Sequence, residues 1–325
     1  METLVRTDGL TRHYGKKHIV RAVENVSLQI EKGKSLALIG ESGSGKTTFA
    51  RLISGLEKPT AGTIALFGKQ IQNLREKELR PMRRDLQMVF QSSGGVFDPG
   101  YTIGESIREV LENYEKLTDT EYEARIAEAL TRVGLDPSLR LRYVTQLSGG
   151  QCQRANIARA LVLAPKLVIC DEPVSSLDYS IRKQILQLLR EIQERYGVTY
   201  LLITHDLSNV PYVCQCVAIM YQGRVVEYLD STEDLGDRVV HPYSRLLYRS
   251  IPAADPHHRT ITGGTDWDQE DMRQTEAGCP FQRRCPHCSE RCKKEEPTPA
   301  ETEPGHMVSC HMVSAEPAQR RSCFA

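Results

Sequence analysis

The 325-residue chain lacks any net charge, since lysine plus arginine and aspartate plus glutamate number 42 each. Without an overall field, nothing steers it towards nucleic acid or an anionic membrane surface, and any such partner must be recognised locally. Long apolar runs are missing as well. No stretch approaches the roughly 18 apolar residues that span a bilayer, and "METLVRTDGL" has no apolar core of a secretory signal. The expectation is a soluble, cytosolic chain. Ten cysteines are too few for a disulfide scaffold at this length, and six of them lie at or after Cys279. A reducing compartment keeps them as thiols unless a metal takes them.

What is present is 40 % hydrophobic residues, enough for a sizeable core, in a length that suggests two domains. From Ser35, "SLALIG" has the pattern of a buried parallel strand ending in glycine, and a helix can begin after "SGSGKTT". "KLVIC", leading into Asp171, and "VTYLLIT", leading into His205, predict two further buried strands. Between them Ile181, Ile185, Leu188, Leu189 and Ile192 recur at helical spacing. Strands alternating with helices predict an α/β protein whose parallel sheet carries helices on its faces. Tyr122, Ile126, Ala129, Leu130 and Val133 make another one-sided stripe. Residues from about 100 to 164 are therefore expected as a helical subdomain inserted into a sheet domain of residues 1–250. Beyond it, the polar, turn-rich stretch that opens "IPAADPHHRT" predicts a linker or a small loop-built appendix over 251–325, and the cysteine cluster sits in it.

"GESGSGKTT" comprises Gly40, Glu41, Ser42, Gly43, Ser44, Gly45, Lys46, Thr47 and Thr48, and it follows a predicted strand. This matches G-x-x-x-x-G-K-[ST] in the context that the motif requires. Its glycines let consecutive N–H groups turn inward around phosphates, Lys46 reaches the β and γ phosphates, and Thr47 can ligate Mg²⁺. The strand "LVIC" delivers Asp171 and Glu172 to its carboxyl end, where ligands of parallel sheets bind. There Asp171 suits Mg²⁺, and Glu172 suits the role of base towards the water that attacks the γ phosphate. On its own "DEP" would be an ordinary strand-end turn; its place between the other motifs gives it this role. In "QLSGGQCQR", residues Ser148, Gly149, Gly150 and Gln151 open a second helix as a second anion site. One nucleotide rarely needs two such clamps in one chain, so this one is expected to serve the ATP of another copy or a paralogue.

These motifs, with "SSLD" at 175–178 and "ITHD" at 203–206, closely resemble the nucleotide-binding subunit of ABC transporters. The resemblance implies a P-loop NTPase cassette: a mixed α/β core with antiparallel N-terminal strands and an inserted helical subdomain. It implies that Tyr14 stacks on adenine, that Gln91 senses Mg²⁺ and the attacking water, and that His205 contacts the γ phosphate. It further implies that Asp178 lies on the loop crossing a dimer interface, with Ser148 and Gly150 reaching the partner's γ phosphate. Such subunits hydrolyse ATP between two cassettes that close and reopen. A soluble ABC ATPase of DNA repair or translation is the rival, but such proteins usually carry two cassettes in one chain or long coiled-coil insertions. The "LSGGQ" segment argues against a P-loop nucleotide kinase.

"SSLDYSIRKQILQLL", "VAIMYQGRVVE", "HPYSRLLYRSIP" and "GCPFQRRC" with "ERC" narrow the resemblance to the peptide and nickel importers, over about residues 4–310. Those ATPases work in pairs under two transmembrane permease subunits, peripheral on the cytoplasmic face of the inner membrane. A solute-binding protein outside feeds them. Nucleic acid is not an expected partner, and peptides are the expected cargo, with nickel or a metal chelate as the alternative. The chain departs from this pattern after Gln91, where "SSGGVFDPGYTIG" keeps Asp98 and Pro99 but not the rest, and at Cys152, which replaces an arginine. Cys279, Cys285, Cys292 and Cys310 fall where the family's tail carries its cysteines, which implies a candidate [4Fe–4S] ligand set. Zinc and unliganded thiols are the alternatives, and Cys288 adds a CxxC pair with Cys285.

Overall fold

A computed structural model describes residues 2–15, 17–90, 94–175, 177–250, 275 and 277–313. Gln91 and the start of the expected linker lie outside the described residues, as does Cys323. The first strands are β1 (Thr3–Tyr14), β2 (Val20–Val26), β3 (Gln29–Glu31), β4 (Leu36–Ile39), β5 (Ala61–Leu66) and β6 (Lys69–Gln70). They are followed by β7 (Leu86–Val89), β8 (Leu167–Asp171), β9 (Thr199–Thr204), β10 (Cys216–Tyr221), β11 (Arg224–Leu229), β12 (Ala300–Glu303) and β13 (His306–Val308).

The large sheet has the order β12-β13-β11-β10-β4-β9-β8-β7. Its centre is parallel, with Leu36 opposite Leu201 and Val168 opposite Tyr200. Every residue of β4, β8, β9 and β10 is buried, as continuous apolar runs covered on both faces require. Alternation divides them between two layers. Leu36, Leu38, Ile169, Leu201 and Ile203 pack with Phe49 of the helix Lys46–Ile53 and with the antiparallel N-terminal sheet β2-β1-β5-β6, which also carries β3. Ala37, Ile39, Val168, Cys170, Tyr200 and Leu202 face the helices Gly149–Leu161 and Tyr179–Tyr196. Burying a side chain such as Phe49 stabilises the fold by about 1.5–3 kcal/mol.

Between β7 and β8 the described chain is mostly helical. The helices Ile103–Glu112 and Asp119–Arg132 each begin with a reciprocal cap, Thr102 with Glu105 and Thr118 with Glu121. Tyr122, Ile126, Ala129, Leu130 and Val133 are all buried. Residues 277–313, the part of the tail that the structure describes, carry regular elements. A short helix, Glu290–Lys294, precedes β12 and β13, and β13 pairs with β11 so that the tail extends the main sheet.

A buried carboxylate holds that junction. Glu227 on β11 accepts hydrogen bonds from the N–H groups of Val240 and His241, at 2.7 and 3.2 Å, and lies 2.8 Å from Nε2 of His306 on β13. His241 in turn accepts from the Tyr243 N–H at Nδ1, capping the helix Pro242–Arg249. Burial pushes the His241 imidazole down to about 4, against the raising influence of Glu227. Because the unfolded chain takes up this proton near 6.5, the stability gained from neutral His241 is complete above pH 6.5 and lost as pH falls towards 4. His241→Asn keeps a capping acceptor but no titrating group. Denaturant unfolding from pH 6.5 to 4 should therefore show a slope shallower than the parent's by up to about 1.4 kcal/mol per pH unit, and an unchanged slope would rule this out.

Candidate active site

The phosphate loop joins β4 to the helix Lys46–Ile53, whose N-cap Gly45 has φ 103°. Only glycine suits that conformation, and the packing adds a second reason. A Cβ on Gly45 would stand 1.9 Å from the Ala22 carbonyl oxygen, and one on Gly40 would stand 2.2 Å from that of Met220. Backbones of β2 and β10 thus grip the loop from both sides. Ser44 adds a bond by accepting from the Gly223 N–H at 2.9 Å. Lys46 is buried, and its Nζ donates to the carbonyls of Gly40 (2.7 Å) and Glu41 (2.8 Å) and to Ser44 Oγ (3.3 Å). Burial pulls its pKa down, opposed by the charges of Glu172, Asp171 and Glu41. A lysine curled into a loop that opens a helix makes a cradle for phosphate oxygens. Ser42, Gly43 and Thr47 are exposed, and Thr48 is half-buried.

Asp171 ends β8 and accepts a 3.0 Å hydrogen bond from Thr47 Oγ1. Its burial raises the carboxyl pKa, with the Thr47 bond acting in the opposite direction. This hydroxyl and carboxylate, both hard oxygen donors, are the pair that suits Mg²⁺. The next residue, Glu172, has φ 47°, a left-handed conformation rare outside glycine. Its N–H is fixed by the Ile203 carbonyl at 2.9 Å, and its carbonyl accepts from Ser175 Oγ at 3.1 Å. The register of β8 on β9 then brings Glu172 Oε1 to 3.3 Å from His205 Nδ1. Lys46, Thr47, Asp171, Glu172 and His205 therefore gather along the carboxyl ends of three adjacent strands.

The signature stands apart. Ser148 caps the helix Gly149–Leu161 in a reciprocal pair with Gln151, and Ser148 and Gly149 are exposed while Gly150 is buried. Among the described residues no hydrogen bond joins this segment to the phosphate loop. It packs instead on the segment of Asp178, for a Cβ on Gly150 would lie 3.1 Å from Ile181 of the helix that Asp178 precedes. Signature and crossing loop thus form one face. Cys152, which replaces the usual arginine, is buried beneath it. Tyr14 ends β1 with the Arg12 guanidinium 4.6 Å from its ring centroid, beside exposed Ile19 and Val20. Its hydroxyl donates to Glu57.

Two contacts to the loop were not foreseen. The Tyr243 hydroxyl accepts from the Glu41 N–H at 2.9 Å, and Arg284 forks onto the Glu41 carboxylate at 2.8 and 3.0 Å. These partners lie 202 and 243 positions away along the chain, and no spacing rule links such distant residues.

The cysteines are brought together. The Cys279 N–H donates to the Cys292 carbonyl at 2.7 Å, and the thiol of Cys279 feels those of Cys292, Cys310 and Cys285. Burial pushes the Cys279 and Cys285 thiols up to about 12, so they stay protonated unless a metal displaces the proton. Among the described residues, however, no three His, Cys, Asp or Glu side chains stand in the geometry of a metal centre. The donor set suits a soft metal, and these cysteines are neighbouring thiols not joined by disulfides.

Comparison with known proteins agrees with this geometry. Residues 23–175 match the ABC transporter family, and residues 226–292 match the oligopeptide/dipeptide transporter C-terminal region. The probable peptide ABC transporter ATP-binding protein y4tS of Sinorhizobium fredii is 39 % identical over 96 % of this chain and 90 % of its own length. The oligopeptide transport ATP-binding protein OppF of Escherichia coli is 40 % identical over 94 % and 92 %. The dimeric ATP-binding cassette MJ0796, solved in a post-hydrolysis state bound to ADP and Pi, superposes with a TM-score of 0.63 at 32 % identity, covering 68 % of this chain and 96 % of that one. A phosphate loop with a buried lysine and acids at the strand ends, a separate signature face and relatives matching along nearly the whole chain lead to one conclusion: this chain belongs to the ABC transporter family, as an ATP-binding ATPase subunit of the oligopeptide/dipeptide type.

Proposed function

We propose that this chain energises the import of di- and oligopeptides by closing on ATP with a second cassette and reopening after hydrolysis. The observation that carries this reading is the C-terminal region of the oligopeptide/dipeptide type, together with relatives named for peptide transport. Those names favour peptides over nickel or metal chelates. The partners are a second ATPase subunit, a paralogue or another copy, and two transmembrane permeases fed by an extracytoplasmic solute-binding protein. Among the described residues no helix is long and apolar enough to cross a membrane, so a transport path made by other chains fits the fold. The place of action is the cytoplasmic face of the membrane. Residues 1–250 form the cassette, with the helical part at about 100–164, and 251–325 form the appendix.

In this reading the loop amides and Lys46 hold the β and γ phosphates, and Thr47 with Asp171 would hold Mg²⁺, which supplies charge neutralisation on the leaving phosphates. Glu172 takes the proton of the attacking water, and His205 steadies the γ phosphate beside it. Tyr14 stacks on adenine, and Gln91, which lies outside the described residues, keeps the role of sensing the metal that the resemblance gives it. Exposed Ser148 and Gly149, backed by Gly150 and Gln151 and joined by exposed Asp178, form the face that serves the partner's nucleotide. Exposed Phe90 and Tyr101, flanking the unusual stretch after Gln91, suit a permease contact. Glu172→Gln should keep ATP affinity and lower turnover at least about a hundredfold. Turnover near the parent's level would remove Glu172 from the role of base. Membrane fractionation should recover the chain with two polytopic proteins, and a purely soluble complex with nucleic acid would sink the transport assignment.

For the tail, Cys279, Cys285, Cys292 and Cys310 are the set that would hold a [4Fe–4S] cluster, with zinc as the alternative. Support comes from four neighbouring thiols, of which Cys279, Cys292 and Cys310 are buried and Cys285 is half-buried. Anaerobic purification followed by iron, sulfide and zinc analysis should find metal in the parent and a loss of it in Cys292→Ser. Metal-free parent protein would leave these cysteines as packing residues.

A further inference from the structure

Glu41, the first variable residue of the phosphate loop, is held at three points. Its carboxylate accepts both arms of the Arg284 fork, its N–H donates to the Tyr243 hydroxyl, and its carbonyl accepts from Lys46. The two clamps from outside the loop are themselves well fixed. Tyr243 is fully buried, with its ring 4.6 Å from that of Tyr221 and 5.5 Å from that of Phe281. Arg284 lies 5.8 Å from the Tyr221 and Phe281 ring centroids, and only 8 % of its side chain is exposed. A bidentate pair whose guanidinium is shielded from water, although the Glu41 side chain stays 28 % exposed, is geometrically more specific than an exposed ion pair. Arg284 precedes Cys285, and Phe281 follows Cys279 by two positions. The cysteine segment therefore meets the outer wall of the phosphate loop directly.

We propose that Arg284 is a positioning residue for ATP: through Glu41, the cysteine-bearing segment sets the shape of the phosphate loop and hence its affinity for the nucleotide. The Gly40 and Glu41 carbonyls that now hold the Lys46 ammonium sit on the peptide planes that this clamp fixes. With those planes fixed, Lys46 can exchange carbonyls for phosphate oxygens without the loop collapsing around it. Glu172 and His205 follow β8 and β9, outside the loop segment that the clamp holds, so the effect is expected on binding rather than on the chemical step. This rests on the loop binding ATP, which titration of the parent checks separately.

The test uses the full chain, a fluorescent ATP analogue for Kd, and steady-state ATPase for KM and kcat. Arg284→Ala should raise Kd and KM about tenfold, with kcat at saturation within about twofold of the parent. Arg284→Lys should recover part of the loss, since one point charge replaces a fork. Glu41→Gln, which loses the charge and one arm of the fork, should raise Kd by part of the Arg284→Ala effect, and the double variant should be no weaker than Arg284→Ala, because both changes weaken the same interaction. If Arg284→Ala does not fold, Glu41→Gln decides, because it leaves the appendix and its aromatic packing in place. Unchanged Kd in Glu41→Gln, additive losses, or a fall in kcat alone would each overturn the role given to Arg284. A parent that binds no ATP would instead overturn the reading of the loop itself.

Discussion

The parallel pairing of β4, β8 and β9 is the constraint on which everything else at the site depends. Each strand is short, apolar and buried on both faces, so its register is set by packing in two layers at once. Fixed register means fixed ends. The loop of Gly40 to Gly45, the Asp171–Glu172 pair and His205 emerge side by side because Ile39, Asp171 and Thr204 end neighbouring strands. A slip of one residue in β8 would turn Asp171 away from Thr47 and move Glu172 from His205, so the core's packing is also the site's alignment.

Around that frame the protein spends backbone rather than side chains on the nucleotide. Gly40 and Gly45 admit the carbonyls of Met220 and Ala22 at distances that no Cβ would allow. Glu172 accepts a left-handed backbone, a local cost of about 1–3 kcal/mol that the Ile203 and Ser175 bonds hold in place. Strain of this kind persists only where surrounding structure over-determines it, as it does here between two buried strands.

Much of this was legible in the sequence because the informative signals are local. An apolar run followed by glycine, lysine and threonine specifies a strand, a turn and a helix within a dozen residues, and the helical stripes at 122–133 and 181–192 read directly as buried faces. Leu186 belongs to the second face although the stripe omits it. The tail was harder to read. The strands of β12 and β13 span four and three residues, too short for a period to declare itself, and their pairing is set by Glu227, His241 and His306 from distant parts of the chain. The same holds for Arg284 and Tyr243, whose partner Glu41 is chosen by tertiary contact. The convergence of the cysteines was legible from their place in the tail, and unliganded thiols stood among the alternatives for them.

The strands added by the tail also decide how the main sheet ends. Without them β11 would present six residues, including Val225, Val226 and Leu229, as an open row of unpaired amide and carbonyl groups to any other chain. With them the outermost strand is Ala300–Glu303, only four residues long and carrying Glu301 and Glu303. Two such edges meeting would bring like charges together along too few hydrogen bonds to compensate. On the proposed pairing of two cassettes through the signature face, this end of the sheet is thereby closed to a competing pairing.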